Sequence, residues 1–235
     1  LHFAACNGHV EVIKELLEKL ETPEERKAYL YNANNNGATP LFIAALNGHG
    51  DVIKELIQGL ETPEERKAYL HKATNNGDTP LHFAACNGHV EVIKELLEKL
   101  ETPEERKAYL YNANNNGATP LFIAALNGHG DVIKELIQGL ETPEERKAYL
   151  HKATNNGDTP LHFAACNGHV EVIKELLEGL SDEDRLTYLH MTTNNGWTPL
   201  YVAAKNGHSQ VVRVFKEYGV QESWGMWFCR NLGFS

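Results

Sequence analysis

Histidine and cysteine are the residue types in this chain with the greatest chemical potential, and both recur at fixed spacing. The sequence holds 12 His and 4 Cys in 235 residues. One histidine series belongs to six Asn-Gly-His elements, one in each repeat, and a second follows Leu1, Leu81 and Leu161. The members of the two series are His9, His49, His89, His129, His169 and His208, and then His2, His82 and His162.

A metal site is the first chemistry that a histidine ladder suggests, and the spacing argues against it. Neighbouring helices pack about 8–10 Å apart. A zinc ion, in contrast, holds its ligands at about 2.0–2.3 Å. One histidine per repeat therefore cannot gather four ligands, and we predict no metal site and no cofactor.

The cysteines are too widely spaced to pair with one another. Cys6, Cys86 and Cys166 recur every 80 residues, which places successive ones about 20 Å apart at the usual helix spacing. A disulfide needs Cα atoms closer than about 7 Å, so we predict free thiols that serve as small apolar side chains. The sequence alone does not place Cys229. So few cysteines suit a reducing compartment, which predicts an intracellular, cytoplasmic location.

Nucleophilic and acid–base catalysis find no support in the sequence. The first serine is Ser181, and none of the four serines lies in a nucleophile-elbow motif. The adjacent Glu24 and Glu25 stand where acidic residues stabilise the start of a helix. An enzyme usually builds one pocket, whereas these features recur in every repeat. We therefore predict that the chain is not an enzyme.

Composition and charge exclude further classes of protein. The formal net charge of −10 argues against nucleic-acid binding, because a phosphate backbone selects basic surfaces. No apolar run approaches the roughly 18 residues that a membrane helix requires, and the first residues show no signal-peptide pattern. We predict no nucleic-acid partner and no membrane insertion.

The chain is built from internal copies. Residues 1–80 are identical to residues 81–160, and residues 161–178 begin a third copy. Within each 80-residue block, residues 1–40 and 41–80 differ at 12 positions. A tandem period of 20–50 residues is typical of solenoids, in which each unit contacts only its neighbours.

Each 40-residue unit predicts three helices. Thr39-Pro40 provides an N-cap and a first-turn proline, and Gly48 ends the first helix. The second helix has one apolar stripe, formed in the first unit by Val10, Ile13, Leu17 and Leu20. Residues 22–25, Thr-Pro-Glu-Glu, form a capping box that begins a short third helix. Residues 34–37, Asn-Asn-Asn-Gly, predict a tight turn.

Residues 79–97 resemble an ankyrin repeat. The Thr-Pro-Leu-His element, the Ala-Ala pair, the Asn-Gly-His turn and the Val-Ile-Lys-Glu-Leu-Leu helix all match. The match recurs at six positions, namely Leu1, Leu41, Leu81, Leu121, Leu161 and Leu200. The resemblance covers residues 1–219 and implies an all-α, right-handed ankyrin-like solenoid of six units. It also implies that both histidine series are structural and form hydrogen bonds between loops and neighbouring units.

The repeat departs from the family in its length. An ankyrin unit has about 33 residues, and this unit has 40, with the excess at the third helix. The hairpin that normally projects there is therefore expected to be altered or replaced. The last linker is one residue shorter, and Ser181 and Asp184 approximate its capping box.

The resemblance implies a non-enzymatic scaffold that binds a protein partner through an extended concave face. By resemblance, that face includes the first-helix residue just before Asn-Gly and the residue just before the Thr-Pro that begins each first helix. Trp197 is the best single anchor, because Trp dominates interface hot spots, and Tyr201 replaces the usual histidine nearby. An alternative is that the third helix partly covers this stripe. The predicted partner-binding residues are Cys6, Ala38, Leu46, Asp78, Cys86, Ala118, Leu126, Asp158, Cys166, Trp197, Tyr201 and Lys205.

Two other functions remain open at this point. The array could be the interaction arm of a secreted effector from an intracellular bacterium or parasite, acting in the host cytosol. It could also be an engineered or purely structural array without a natural partner. We expect a monomer. Because Leu1 lies inside a repeat, the sequence further suggests an excerpt from a longer array.

Residues 220–235 break the repeat pattern and contain two of the three Trp. A repeat array must hide its last apolar face, so this tail is interpreted as a cap that folds back. A recognition segment and an artificial extension are the alternatives.

Overall fold

The computed structural model describes residues 1–220, and within that range every regular element is a helix. Seventeen helices follow one another as six units, which confirms the all-α ankyrin-like solenoid. The first helices of the units are α1 (His2–Cys6), α4 (Pro40–Asn47), α7 (Pro80–Cys86), α10 (Pro120–Asn127), α13 (Pro160–Cys166) and α16 (Pro199–Lys205). The second helices are α2 (Val10–Glu18), α5 (Gly50–Gln58), α8 (Val90–Glu98), α11 (Gly130–Gln138), α14 (Val170–Leu177) and α17 (Ser209–Glu217). The third helices are α3 (Pro23–Leu30), α6 (Pro63–Leu70), α9 (Pro103–Leu110), α12 (Pro143–Leu150) and α15 (Asp182–His190).

The first helix of each complete unit begins and ends where its sequence signals stand. In α4 the Thr39 hydroxyl accepts a hydrogen bond from the Phe42 amide at 3.4 Å, and Pro40 occupies the first turn. Gly48 ends the helix in the left-handed conformation, with φ of 79°, which a residue with a Cβ adopts only at a cost. The predicted boundaries of this helix are therefore confirmed.

The third helix has the predicted capping box. In α3 the Thr22 hydroxyl accepts from the Glu25 amide at 3.2 Å, while the Thr22 amide donates to the Glu25 carboxylate at 3.3 Å. In α15 the Ser181 hydroxyl accepts from the Asp184 amide at 3.1 Å. The reciprocal bonds of α3 and the serine cap of α15 satisfy amide groups that have no partner within the helix.

Like helices stack on like helices from one unit to the next. First helices pack on neighbouring first helices, and second helices pack on neighbouring second helices. Neighbouring first helices can approach closely because the side chains of the Ala-Ala pair are small. Ala44 and Ala45 are fully buried between them. The apolar stripe of the second helix faces the same core, where Ile53 and Leu56 are also fully buried.

Two kinds of polar contact join the third helices. The buried Tyr69 hydroxyl donates to the Leu30 carbonyl at 2.9 Å and accepts from the Leu41 amide at 3.3 Å, so it links three segments. On the outside, one lysine of each third helix pairs with an acid of the next. These pairs are Lys27–Glu65 at 2.9 Å, Lys67–Glu105 at 3.2 Å, Lys107–Glu145 at 2.7 Å, and Lys147 with Asp184.

A stacked turn closes each of the first five units. The Asn34 side chain accepts from the amides of Asn36 and Ala38 at 2.9 and 3.0 Å, which closes the turn. The next turn docks on it, because the Asn75 amide donates to the Asn36 carbonyl at 3.0 Å. One backbone bond per junction does not build a strand, and residues 1–220 contain none.

Among the described residues, no helix is long and apolar enough to cross a membrane. The predicted cap formed by the tail, and Cys229 within it, lie outside residues 1–220.

Candidate functional site

The Asn-Gly-His histidines join consecutive units. The Nε2 of His89 donates to the Leu46 carbonyl of the preceding unit at 3.1 Å. Its ring lies against Gly48, where an added Cβ would come within 2.9 Å of the imidazole. The same bond forms at His49, His129, His169 and His208. The structural interpretation of this series is confirmed.

In the second histidine series, His82 and His162 are buried and cap their first helices, whereas His2 is half-buried. The Nδ1 of His82 accepts from the Thr79 amide at 3.1 Å, while Nε2 donates to the Ala118 carbonyl at 3.0 Å. Burial lowers the pKa of His82 and lowers the pKa of His162 to about 4, so both rings are neutral at pH 7. Within residues 1–220 no group of three or more His, Cys, Asp or Glu is placed to hold a metal ion.

Cys6, Cys86 and Cys166 are free thiols, in agreement with the predicted spacing. Burial raises the pKa of the Cys86 thiol, and the charge of Asp78 raises it further. A thiol with a raised pKa is a weak nucleophile at neutral pH. Cys86 is therefore suited to packing and contact rather than to covalent chemistry.

The predicted partner-binding residues fall into two groups by exposure. Ala38 and Ala118 are only 3% and 4% exposed, and their carbonyl groups accept bonds from His2 and His82. Their side chains therefore offer little surface to a partner. The other ten are exposed or half-buried, namely Cys6, Leu46, Asp78, Cys86, Leu126, Asp158, Cys166, Trp197, Tyr201 and Lys205.

In the first five units, the exposed part of the first helix is wider than the sequence reasoning predicted. Ile43 is half-buried and precedes Leu46 by three residues, a spacing that puts both side chains on one side of the helix. Phe83 and Cys86 repeat this arrangement in the next unit. In the sequence, Phe and Ile alternate from unit to unit at the position of Ile43, and this pattern could have predicted the additional exposed residue. The additional residues are Phe3, Ile43, Phe83, Ile123 and Phe163.

We call this set the first-helix surface. It consists of five pairs of residues that stand three positions apart, namely Phe3/Cys6, Ile43/Leu46, Phe83/Cys86, Ile123/Leu126 and Phe163/Cys166.

Acidic residues adjoin this surface in every second unit. Asp78 lies in the turn before α7, and its Oδ1 accepts from the Asn114 side chain at 2.8 Å. Burial raises the pKa of Asp158, the equivalent residue two units later. A carboxylate that is partly removed from water gains from a cationic partner.

The structure brings Trp197, Tyr201 and Lys205 together at one end of the array. The ring centroids of Trp197 and Tyr201 are 5.5 Å apart. The Lys205 ammonium lies 4.1 Å from the Trp197 ring centroid and 6.0 Å from that of Tyr201, within the range of a cation–π interaction. The Trp197 carbonyl accepts from His162 Nε2 at 3.0 Å, which holds the cluster against the preceding unit.

Comparison with known families agrees with this architecture. A family model of ankyrin repeats matches in three copies, over residues 1–66, 63–143 and 143–223. The chain therefore belongs to the ankyrin-repeat family, whose members are generally protein–protein interaction modules. No curated protein matches it significantly.

Proposed function

We propose that this chain is a non-enzymatic scaffold that binds a protein partner through the concave face, which contains the first-helix surface. The observation that carries the proposal is the half-buried apolar pair on successive first helices, as in Ile43/Leu46 and Phe83/Cys86. Aligned apolar side chains that remain partly in water stabilise a complex when a partner removes them from water. An extended face of this kind suits repeat proteins.

The chemistry of the partner follows from the residues beside that surface. The partner presents apolar side chains against Leu46 and Leu126, which stand two units apart. It presents basic side chains near Asp78 and Asp158, since these partly buried carboxylates favour a cation. Charge complementarity of this kind contributes to specificity and to the rate of association.

The Trp197 cluster is the proposed anchor at the end of this face. Trp197 and Tyr201 supply a large amphipathic area with few rotatable bonds, a property that makes aromatic residues frequent hot spots. Lys205 lies over both rings and would extend contact toward an acidic group of the partner. The first-helix surface and the Trp197 cluster would then contact the same partner.

The test places negative charge on the first-helix surface. We expect the double variant Leu46→Glu with Leu126→Glu to weaken capture of the partner by roughly 30-fold or more in Kd, the size of a lost hot spot. Partners are recovered by affinity capture on the wild-type chain, and their Kd is measured against each variant by calorimetry.

The matched control is Gln58→Glu with Gln138→Glu. It adds the same charge to the same two units at exposed positions near the ends of α5 and α11. The control should bind like the wild type. Equal binding by the Leu46/Leu126 variant and the wild type would show that the partner uses another face.

A further inference from the structure

The outer side of the last unit, between α16 and α17, has less cover from residues 1–220 than the same region has in every earlier unit. Ala204 is exposed, whereas its five counterparts are 0% exposed. Val212 is half-buried, and its counterparts on the earlier second helices are fully buried. The counterparts of Ala204 are Ala5, Ala45, Ala85, Ala125 and Ala165, and those of Val212 are Ile13, Ile53, Ile93, Ile133 and Ile173.

Gly207 marks the same difference. At Gly168, its counterpart one unit earlier, an added Cβ would come within 2.6 Å of the His208 ring. At Gly207 no atom of the described residues lies within 4 Å of that position. A cleft of about 470 Å³ remains there. Its lining residues are Ala204, Gly207, His208, Ser209, Val212, Arg213 and Lys216.

The cleft combines an apolar floor with a cationic rim. Ala204, Gly207 and Val212 form the floor, while Arg213 and Lys216 stand on α17 at the rim. At the earlier junctions the counterpart of Lys216 is a buried Leu or Ile, such as Leu97, and a further unit covers the area. An apolar floor that is open to water favours an occupant with large apolar side chains.

Residues 221–235 have the composition and the reach to be that occupant. They contain Trp224, Met226, Trp227 and Phe228 within five positions. The segment follows Val220, which is buried next to the end of α17. Helix α17 has 9 residues, a length of about 14 Å at 1.5 Å per residue. Fifteen extended residues span up to about 50 Å, enough to return along α17 to Gly207.

We infer that residues 221–235 fold back onto this cleft and place a tryptophan ring on the floor formed by Ala204, Gly207 and Val212. The segment then takes the place that a following unit holds at each inner junction. Attachment at Val220 gives it an effective local concentration of the order of millimolar, which favours it over a second copy of the chain. This surface is separate from the first-helix surface, so the inference stands independently of the proposed function.

Hydrogen exchange measured by mass spectrometry on the full chain tests this inference. In the wild type we expect amides of residues 224–228 to be protected at least about tenfold over a free peptide of residues 221–235, because burying part of one tryptophan ring suffices for that factor. Ala204→Glu, which puts a charge on the cleft floor, should remove this protection. Ala148→Glu, at an exposed position of α12, should leave it unchanged.

A reciprocal variant completes the test. Trp224→Ser with Trp227→Ser should speed amide exchange in α17 about tenfold. Adding Ala204→Glu to this variant should have little further effect, because the tryptophan changes and the alanine change remove the same interaction. Free-peptide exchange rates for residues 221–235 in the wild type would overturn the inference. So would protection that survives Ala204→Glu, or protection that disappears on dilution, since the latter indicates a second copy as the occupant.

Discussion

Asn155 packs against Gly117 in the turn of the preceding unit and forms two hydrogen bonds with that turn. Its amide donates to the Asn116 carbonyl at 3.0 Å, and its side-chain nitrogen donates to the Asn115 carbonyl at 3.0 Å. A Cβ on Gly117 would lie 2.7 Å from the Asn155 side-chain oxygen and 2.8 Å from its backbone nitrogen. Successive turns therefore stack because the glycine has no side chain.

We predict that Gly117→Ala destabilises the array by about 3 kcal/mol or more. The left-handed φ of 78° at Gly117 costs an L-residue about 1–2 kcal/mol, and the clash with Asn155 adds to it. Chemical denaturation measures the change in the free energy of unfolding.

Gly196→Ala is the control for the conformational cost alone. Gly196 has a φ of 76°, and no atom of residues 1–220 lies within 4 Å of the position of an added Cβ. This variant should lose only about 1–2 kcal/mol. Equal losses at the two positions would mean that the stacked turns tolerate a methyl group.

Most of the fold follows from local signals in the sequence. The Thr39-Pro40 start, the Gly48 end and the capping box at Thr22 and Glu25 each depend on residues within a few positions of one another. Such local interactions are readable from a single chain because they fix helix ends directly. The 40-residue period then repeats the same solution along the array.

The surface could be predicted less well, because exposure depends on the neighbouring unit. Ala38 precedes Thr-Pro as Asp78 does, yet its methyl group is covered when the next unit docks. The position of Lys205 over Trp197 likewise depends on how two segments meet in space. Periodicity identifies which side of a helix is apolar, but it does not say how much of that side the next repeat leaves open.

The buried hydroxyl of Tyr69 leads to a second prediction about stability. Tyr69→Phe leaves the Leu30 carbonyl and the Leu41 amide without their shared partner at a buried site. We expect a loss of about 1–3 kcal/mol, the usual cost of an unsatisfied buried polar group. The control is Tyr29→Phe, since Tyr29 is the equivalent residue of the first unit and is only half-buried. Comparable losses at the two positions would mean that the buried bonds of the Tyr69 hydroxyl are not the source of the effect.

His162 makes the stability of the array depend on pH. Burial lowers its pKa in the folded chain to about 4, below the value of about 6.5 for an exposed histidine. Between these values the unfolded chain binds a proton that the folded chain does not, so stability rises with pH. This contribution is complete above about pH 6.5 and falls by about 3 kcal/mol as the pH decreases to 4.

We predict that His162→Phe reduces the slope of unfolding free energy against pH between 4.5 and 6.5 by about 1.4 kcal/mol per pH unit. Phenylalanine fits the site, because Phe122 occupies the equivalent position in the preceding unit. Burial also lowers the pKa of His71 and His151, so part of the slope remains. The control His190→Phe changes an exposed histidine and should preserve the slope. Urea unfolding across this range measures it, and an unchanged slope in His162→Phe would mean that His162 has the same pKa in the folded and the unfolded chain.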